Sequence, residues 1–128
     1  MTLAEVKEVL QAELLTNDEN NLSLQVRSAC ASDMMSDVLA FTEPEALVIT
    51  GLASQQTLRT VEIADAVAVV FVRGKRPAAD IISSANEKKI PLMTTEFCMY
   101  DACGLLFNKG LCGVTEQVRK ILSKNGSR

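Results

Sequence analysis

Two uninterrupted apolar runs, each closed by a glycine, constrain this chain more than any other feature: ALVIT at 46–50 before Gly51, and AVAVVFV at 66–72 before Arg73 and Gly74. A strand with one wet face alternates apolar and polar residues. A run without polar alternation is buried on both faces, as in a parallel strand covered by helices. Between the runs, Ser54 stands where it can cap a helix over residues 55–63. After the second run, Pro77 suits the first turn of another helix with Ile81, Ile82 and Ala85 as its buried stripe. Pro91 then opens a short strand, PLMTT, ahead of a further helix. Strands alternating with helices of this length imply right-handed parallel crossovers. The expected fold is therefore α/β, a three-layer parallel-sheet domain with helices on both faces.

The first 45 residues carry weaker signals. Thr2 and Glu5 have the form of a capping box, and Leu3, Val6, Leu10 and Leu14 recur at helical spacing, which predicts an amphipathic helix over 3–12. The polar DENN at 18–21 separates ELLT from LSLQVRSA, where Leu22, Leu24 and Val26 alternate with Ser23, Gln25 and Arg27 as in a half-buried strand, so a short strand, a turn and a second strand are expected. Ser32 or Asp33 then caps a short helix through Leu39, and Pro44 punctuates it. Near the other end, Val114, Val118, Ile121 and Leu122 share one side of a small helix that runs into a polar tail. With 128 residues and no linker or repeat, one domain spanning 1–128 is expected, with its core in 3–111 and the helix and tail in 112–128.

Composition narrows the function. Hydrophobic residues make up 48% of the chain against 23% charged, enough to offset the entropy of ordering. A net charge of −3 provides no overall positive field, so neither nucleic acid nor a membrane surface is an expected partner. No apolar run approaches the ~20 residues of a membrane span, and the first residues lack a signal-peptide core, which predicts a cytoplasmic protein. Cys30, Cys98, Cys103 and Cys112 are accordingly expected as reduced thiols. The absence of histidine excludes Ser/His/Asp and Cys/His constellations and imidazole-bound zinc. Cys98 and Cys103 are five apart, about 140° around a helix, so they read as small core residues and not as a grip on one metal. Asp33, Asp37 and Asp101 read as helix caps or dipole partners. No catalytic residue, metal or cofactor is expected.

In a parallel sheet, ligands bind where loops leave the carboxyl ends of the strands. Three such ends are legible: Thr50, Gly51, Ser54 and Gln55; Arg73 and Gly74, followed by Lys75 and Arg76; and Thr94 and Thr95, followed by Glu96. Hydroxyls, helix-start N–H groups and a cationic trio are what a small anionic ligand requires. The glycines form neither G-x-G-x-x-G nor a Walker loop.

The stretches ACASDMMSDVLAF, EALVITGL, AVVFVRGKRP and IPLMTTEFCMYDACGLL, in this order, resemble the DRTGG domain family over residues 3 to 111. That family is similar to the N-terminal domain of HPr kinase/phosphorylase, and this chain is most like its small stand-alone members, some of which accompany hydrogenase genes. The resemblance implies a regulatory α/β module that dimerises and has no catalytic residues of its own. The chain departs from the pattern at the signature residues. Leu52 and Ala53 follow Gly51 where members carry Asp-Arg, and Val72, Arg73 and Gly74 stand in place of Thr-Gly-Gly. No P-loop is present, so kinase activity is not implied.

The expected function is thus a non-enzymatic regulatory or sensory domain that binds a small anionic ligand, such as a nucleotide, or a protein partner, as a homodimer. The alternative is an accessory protein of a redox or hydrogenase system with no small-molecule ligand, motivated by an apolar surface from Met34, Met35 and Phe41. The dimer patch is expected on the Ser32 to Phe41 helix and the Gly51 to Ser54 turn.

Overall fold

The computed structural model describes residues 1–17, 19–115, 119–121 and 123. Its elements are α1 (Leu3–Val9), β1 (Glu13–Leu14), a 3-10 turn (Glu19–Asn21), β2 (Ser28–Ala31), α2 (Met35–Phe41), β3 (Ala46–Thr50), α3 (Gln55–Ala64), β4 (Ala68–Phe71), α4 (Ala79–Lys88), β5 (Leu92–Thr94) and α5 (Met99–Asn108). The strands form one sheet in the order β1-β5-β4-β3-β2. β2 to β5 are mutually parallel, and the two-residue β1 lies antiparallel on β5.

The two apolar runs became β3 and β4 because every residue of both strands is buried. Alternate side chains leave on opposite faces. Leu47, Ile49, Ala68, Val70 and Met93 pack under α1 and α5 through Leu3, Val6, Ala102 and Leu106. Val48, Val69, Phe71 and Leu92 pack under α2, α3 and α4 through Met35, Val38, Leu58, Val61, Ile81 and Ala85. The expected three layers are present. All three crossover helices lie on one face because the strand order runs from β2 to β5 without reversal, and crossovers of constant hand then stay on one side.

Several expectations change. The first helix ends at Val9, short of residue 12, because Gln11 turns the chain with φ 49°. Its capping box is present, with the Thr2 side chain accepting from Glu5 N. Residues 22–27 are not a strand: Leu22 O and Leu24 O accept from Ala4 N and Leu3 N, and Val26 N donates to Met1 O. Their alternation serves contact with the start of α1, burying Val26 and leaving Leu24 exposed. Neither Ser32 nor Asp33 caps α2, whose N-cap is Met34 without a side-chain hydrogen bond and which continues to Phe41. Met35 is 3% exposed and belongs to the core, so the apolar surface on α2 is made by Met34, Leu39 and Phe41. Pro77 precedes α4, whose N-cap is Ala78. Of the expected C-terminal helix, Val118 and Leu122 lie outside the described residues; Val114 is half-buried and Ile121 is exposed. Among the described residues, no helix is long and apolar enough to cross a membrane.

Candidate functional site

Parallel pairing sets the carboxyl ends of β2, β3, β4 and β5 along one edge, with Ala31 beside Ile49, Thr50 beside Phe71, and Phe71 beside Thr94. The loops that carry the expected site residues therefore leave from a single margin of the sheet. They are tied to each other in two groups.

The first group joins β2 to β3. Asp33 Oδ1 accepts from Gly51 N at 2.6 Å and from Thr50 Oγ1 at 3.1 Å, and Thr50 Oγ1 in turn accepts from Leu52 N. Ser32 Oγ accepts from Met34 N, so the turn before α2 holds Asp33 in place. A Cβ on Gly51 would sit 3.4 Å from that Asp33 oxygen, so the short glycine lets the carboxylate close on its N–H. Asp33 thus ties the β2 and β3 loop ends together and is not the helix cap that its position suggested. Its signal in the sequence was only its place two residues beyond a strand end. Thr50 is fully buried and spends its hydroxyl on this clasp. Ser54 starts α3 without a side-chain cap, and its Oγ is buried with no hydrogen-bond partner. Gln55, the first residue of α3, is half-buried.

The second group joins β4 to β5. Arg73 and Gly74 both have positive φ, 56° and 66°, and Lys75 N donates to Val72 O, which makes 72–75 a tight turn with two left-handed central residues. The turn is pinned by Arg73 N to Phe97 O at 2.9 Å and Gly74 N to Thr95 O at 2.7 Å. A Cβ on Gly74 would only have to displace the exposed Glu96 carboxylate, so it is the left-handed conformation that calls for glycine here. Arg73 occupies a conformation that costs a non-glycine residue about 1 kcal/mol or more, a strain that tends to collect at functional sites. Its side chain is exposed, as is that of Lys75, and neither pairs with a carboxylate among the described residues; Arg76 pairs with Glu13 of β1. Thr94 and Thr95 are buried and donate to Lys75 O and Leu10 O, so they hold the loops and do not face outward.

The edge thus brings together Asp33, Gly51, Ser54 and Gln55 on one side and Arg73, Gly74, Lys75 and Glu96 on the other, with Thr50, Thr94 and Thr95 as internal fasteners. Two cations face two carboxylates, so side-chain charge is nearly balanced. The remaining donors are backbone. The three ten-residue helices that start from this margin, α3, α4 and α5, have Ser54, Ala78 and Cys98 as N-caps, and none receives a side-chain cap. First-turn N–H groups left open in this way carry the positive end of the helix dipole. α1, by contrast, is closed by its capping box.

The thiols stand apart from this edge chemistry. All four are free and half-buried; Cys103 packs against the core as its spacing suggested, and Cys30 does so on the other face. Burial pushes the Cys30 and Cys103 thiols up, away from the reactive thiolate form. Cys98 begins α5 and donates to Asp101 Oδ2 at 3.4 Å. Among the described residues, no group of three or more Cys, Asp or Glu is placed to hold a metal ion.

The DRTGG domain family matches residues 5–107 of the chain. No curated protein matches it in sequence. Among solved structures, it is similar to the crystal structure of the CBS and DRTGG domains of the regulatory region of Clostridium perfringens pyrophosphatase, complexed with its activator, diadenosine tetraphosphate. The TM-score is 0.68 at 18% sequence identity, and the match covers 81% of this chain and 45% of that one.

Proposed function

Since the chain belongs to the DRTGG domain family, we propose that it is a non-enzymatic regulatory domain that binds a small anionic ligand, such as a nucleotide, at the carboxyl edge of its sheet, and that it works as a homodimer. The observation that carries this reading is the set of three helix N-termini without side-chain caps around one margin, beside the unpaired Arg73 and Lys75. The strained Arg73 turn supports it by presenting a guanidinium on a rigid frame, which suits bidentate contact with phosphate or carboxylate. The C. perfringens regulatory region, complexed with a nucleotide activator, supplies a ligand class to try first. The Asp33 carboxylate, held at this margin by Gly51 N and Thr50 Oγ1, offers an acceptor for a ligand hydroxyl.

The test is thermal unfolding with a panel of nucleotides and phosphorylated metabolites. A ligand at 100 times its dissociation constant stabilises the native state by about 2.7 kcal/mol. Arg73→Asn keeps a residue that tolerates the left-handed turn while removing the charge. It should lower affinity about tenfold with the fold intact. Equal affinity in both proteins removes Arg73 from the site, and a flat panel removes the anion.

A further inference from the structure

We propose that Glu96 decides which anions the carboxyl edge accepts: its carboxylate repels a bare anion and favours one that carries a hydroxyl donor beside its negative charge. This rests on the ligand reading above and deepens it by narrowing the ligand class.

The turn that presents Arg73 and Lys75 has its own backbone donors engaged. Arg73 N donates to Phe97 O, Gly74 N to Thr95 O and Lys75 N to Val72 O. An anion that comes to this turn is therefore held there by the two cationic side chains. The same bonds clamp segment 95–97 against the turn, with Glu96 between the two residues whose carbonyls accept. The Glu96 carboxyl group lies over the bare face of Gly74. Its Oε2 is 2.7 Å, and its Oε1 and Cδ are 3.2 Å, from where a Cβ on that glycine would stand. The left-handed φ calls for the glycine, and the missing side chain gives the carboxylate its place.

This carboxylate does not neutralise its neighbours. Elsewhere cations find acidic partners, as Arg76 does in Glu13, Lys88 in Glu62 and Arg119 in Glu43. Arg73 and Lys75 flank the glycine that Glu96 covers, yet among the described residues they pair with no carboxylate, Glu96 included. Both cations are thus left open, while a negative charge stands at the place an anion must approach. Like charges this close repel, and a site that repels one ligand selects another. A bare phosphate group meets that repulsion with nothing to offset it. A phosphate ester with hydroxyls beside the anion, as on a ribose, donates to the same carboxylate in a charge-assisted hydrogen bond. Glu96 is exposed, so its carboxylate has room to meet such a hydroxyl without disturbing the turn.

Calorimetric titration of the full chain tests this with three probes: pyrophosphate, ADP, which carries the same diphosphate on a ribose, and the dideoxyribose analogue of ADP. Glu96→Gln removes the charge and keeps the shape, and its circular dichroism should match the wild type because the side chain is exposed. The substitution should tighten pyrophosphate and the dideoxy analogue about tenfold and change ADP no more than about twofold. The gain should fade as salt is raised, since screening removes the repulsion and would not touch a purely structural effect. An equal response of all three probes, or none, overturns the role of Glu96 and leaves the anion site standing. If no probe binds either protein, the site falls with it.

Discussion

The two faces of the sheet are covered by different means. Over one face lie α2, α3 and α4, which are the connections between successive parallel strands; the other is covered by α1 and α5, which flank that run and connect no two parallel strands. An unreversed strand order assigns every crossover to one side, so cover on the far side depends on whatever chain precedes and follows. Two helices do that work for five strands. The cavity beside β2 belongs to this second face. Connectivity builds one layer, whereas composition must supply the other.

The most severe way to break this comparison is at β4, the central strand. Val69 is fully buried under the crossover helices. Val69→Asp strands an unpaired charge there at a cost of about 4 kcal/mol or more, a large share of an ordinary domain's stability. The protein should not fold, as read by circular dichroism; a soluble, native-like variant would show that the crossover face is not the core.

A matched pair of substitutions sharpens it. Ala85 on α4 is fully buried under the crossovers, while Ala29 on β2 is half-buried and lines the cavity. Adding two methyl groups at Ala85 should overpack its surroundings and cost about 1 to 3 kcal/mol. The same addition at Ala29 has space to fill and should change stability by no more than about 1 kcal/mol, in the favourable direction. Urea unfolding of Ala85→Val and Ala29→Val measures both, and equal losses would mean that the two faces are packed alike.

The smallest effect concerns what fastens the β2 margin. Glu43 Oε2 accepts from Ser28 Oγ at 2.9 Å and from Arg119 Nη2 at 2.7 Å, joining the first residue of β2 to the segment beyond α5. The hydrogen bond from Arg119 holds its carboxyl below the usual range, against an opposing push from burial, with Ser28 adding to the lowering. A lowered folded pKa contributes stability that is present above the unfolded value and is lost as pH falls through the folded one. Glu43→Gln should cost about 1 kcal/mol near neutrality. That difference should shrink as the pH is taken down through the carboxylate range; a pH-independent difference would assign the loss to geometry alone.

The sequence made the crossover half legible and the flanking half less so. β3 and β4 announced themselves because burial on both faces leaves no polar alternation in either strand, Thr50 at the end of β3 being the one polar residue, and α3 and α4 followed from the spacing between them. The capping box of α1 was legible because both of its partners lie within one turn. Residues 22–27 misled because alternation reports burial on one side, and here the burying surface is the start of α1 and not a neighbouring strand. Met35 was ambiguous for a related reason: two adjacent methionines on a seven-residue helix do not say which faces inward. Asp33 was missed because its partners, Thr50 and Gly51, are 17 and 18 residues away and meet it only through the β2–β3 register. The strand-end glycines were readable as turns, whereas the commitment of Thr94 and Thr95 to carbonyls of other segments was not.

The margins of the sheet carry a last consequence. At one, the outer side of β5 is occupied by β1, which runs antiparallel and stops after two residues. At the other, β2 is four residues long and its Ala29 N–H is already taken by Cys112 O. Short, partly occupied margins are poor templates for strand addition, the route by which sheets polymerise. Open-ended growth of the sheet along its hydrogen-bonding direction is thereby disfavoured at both margins.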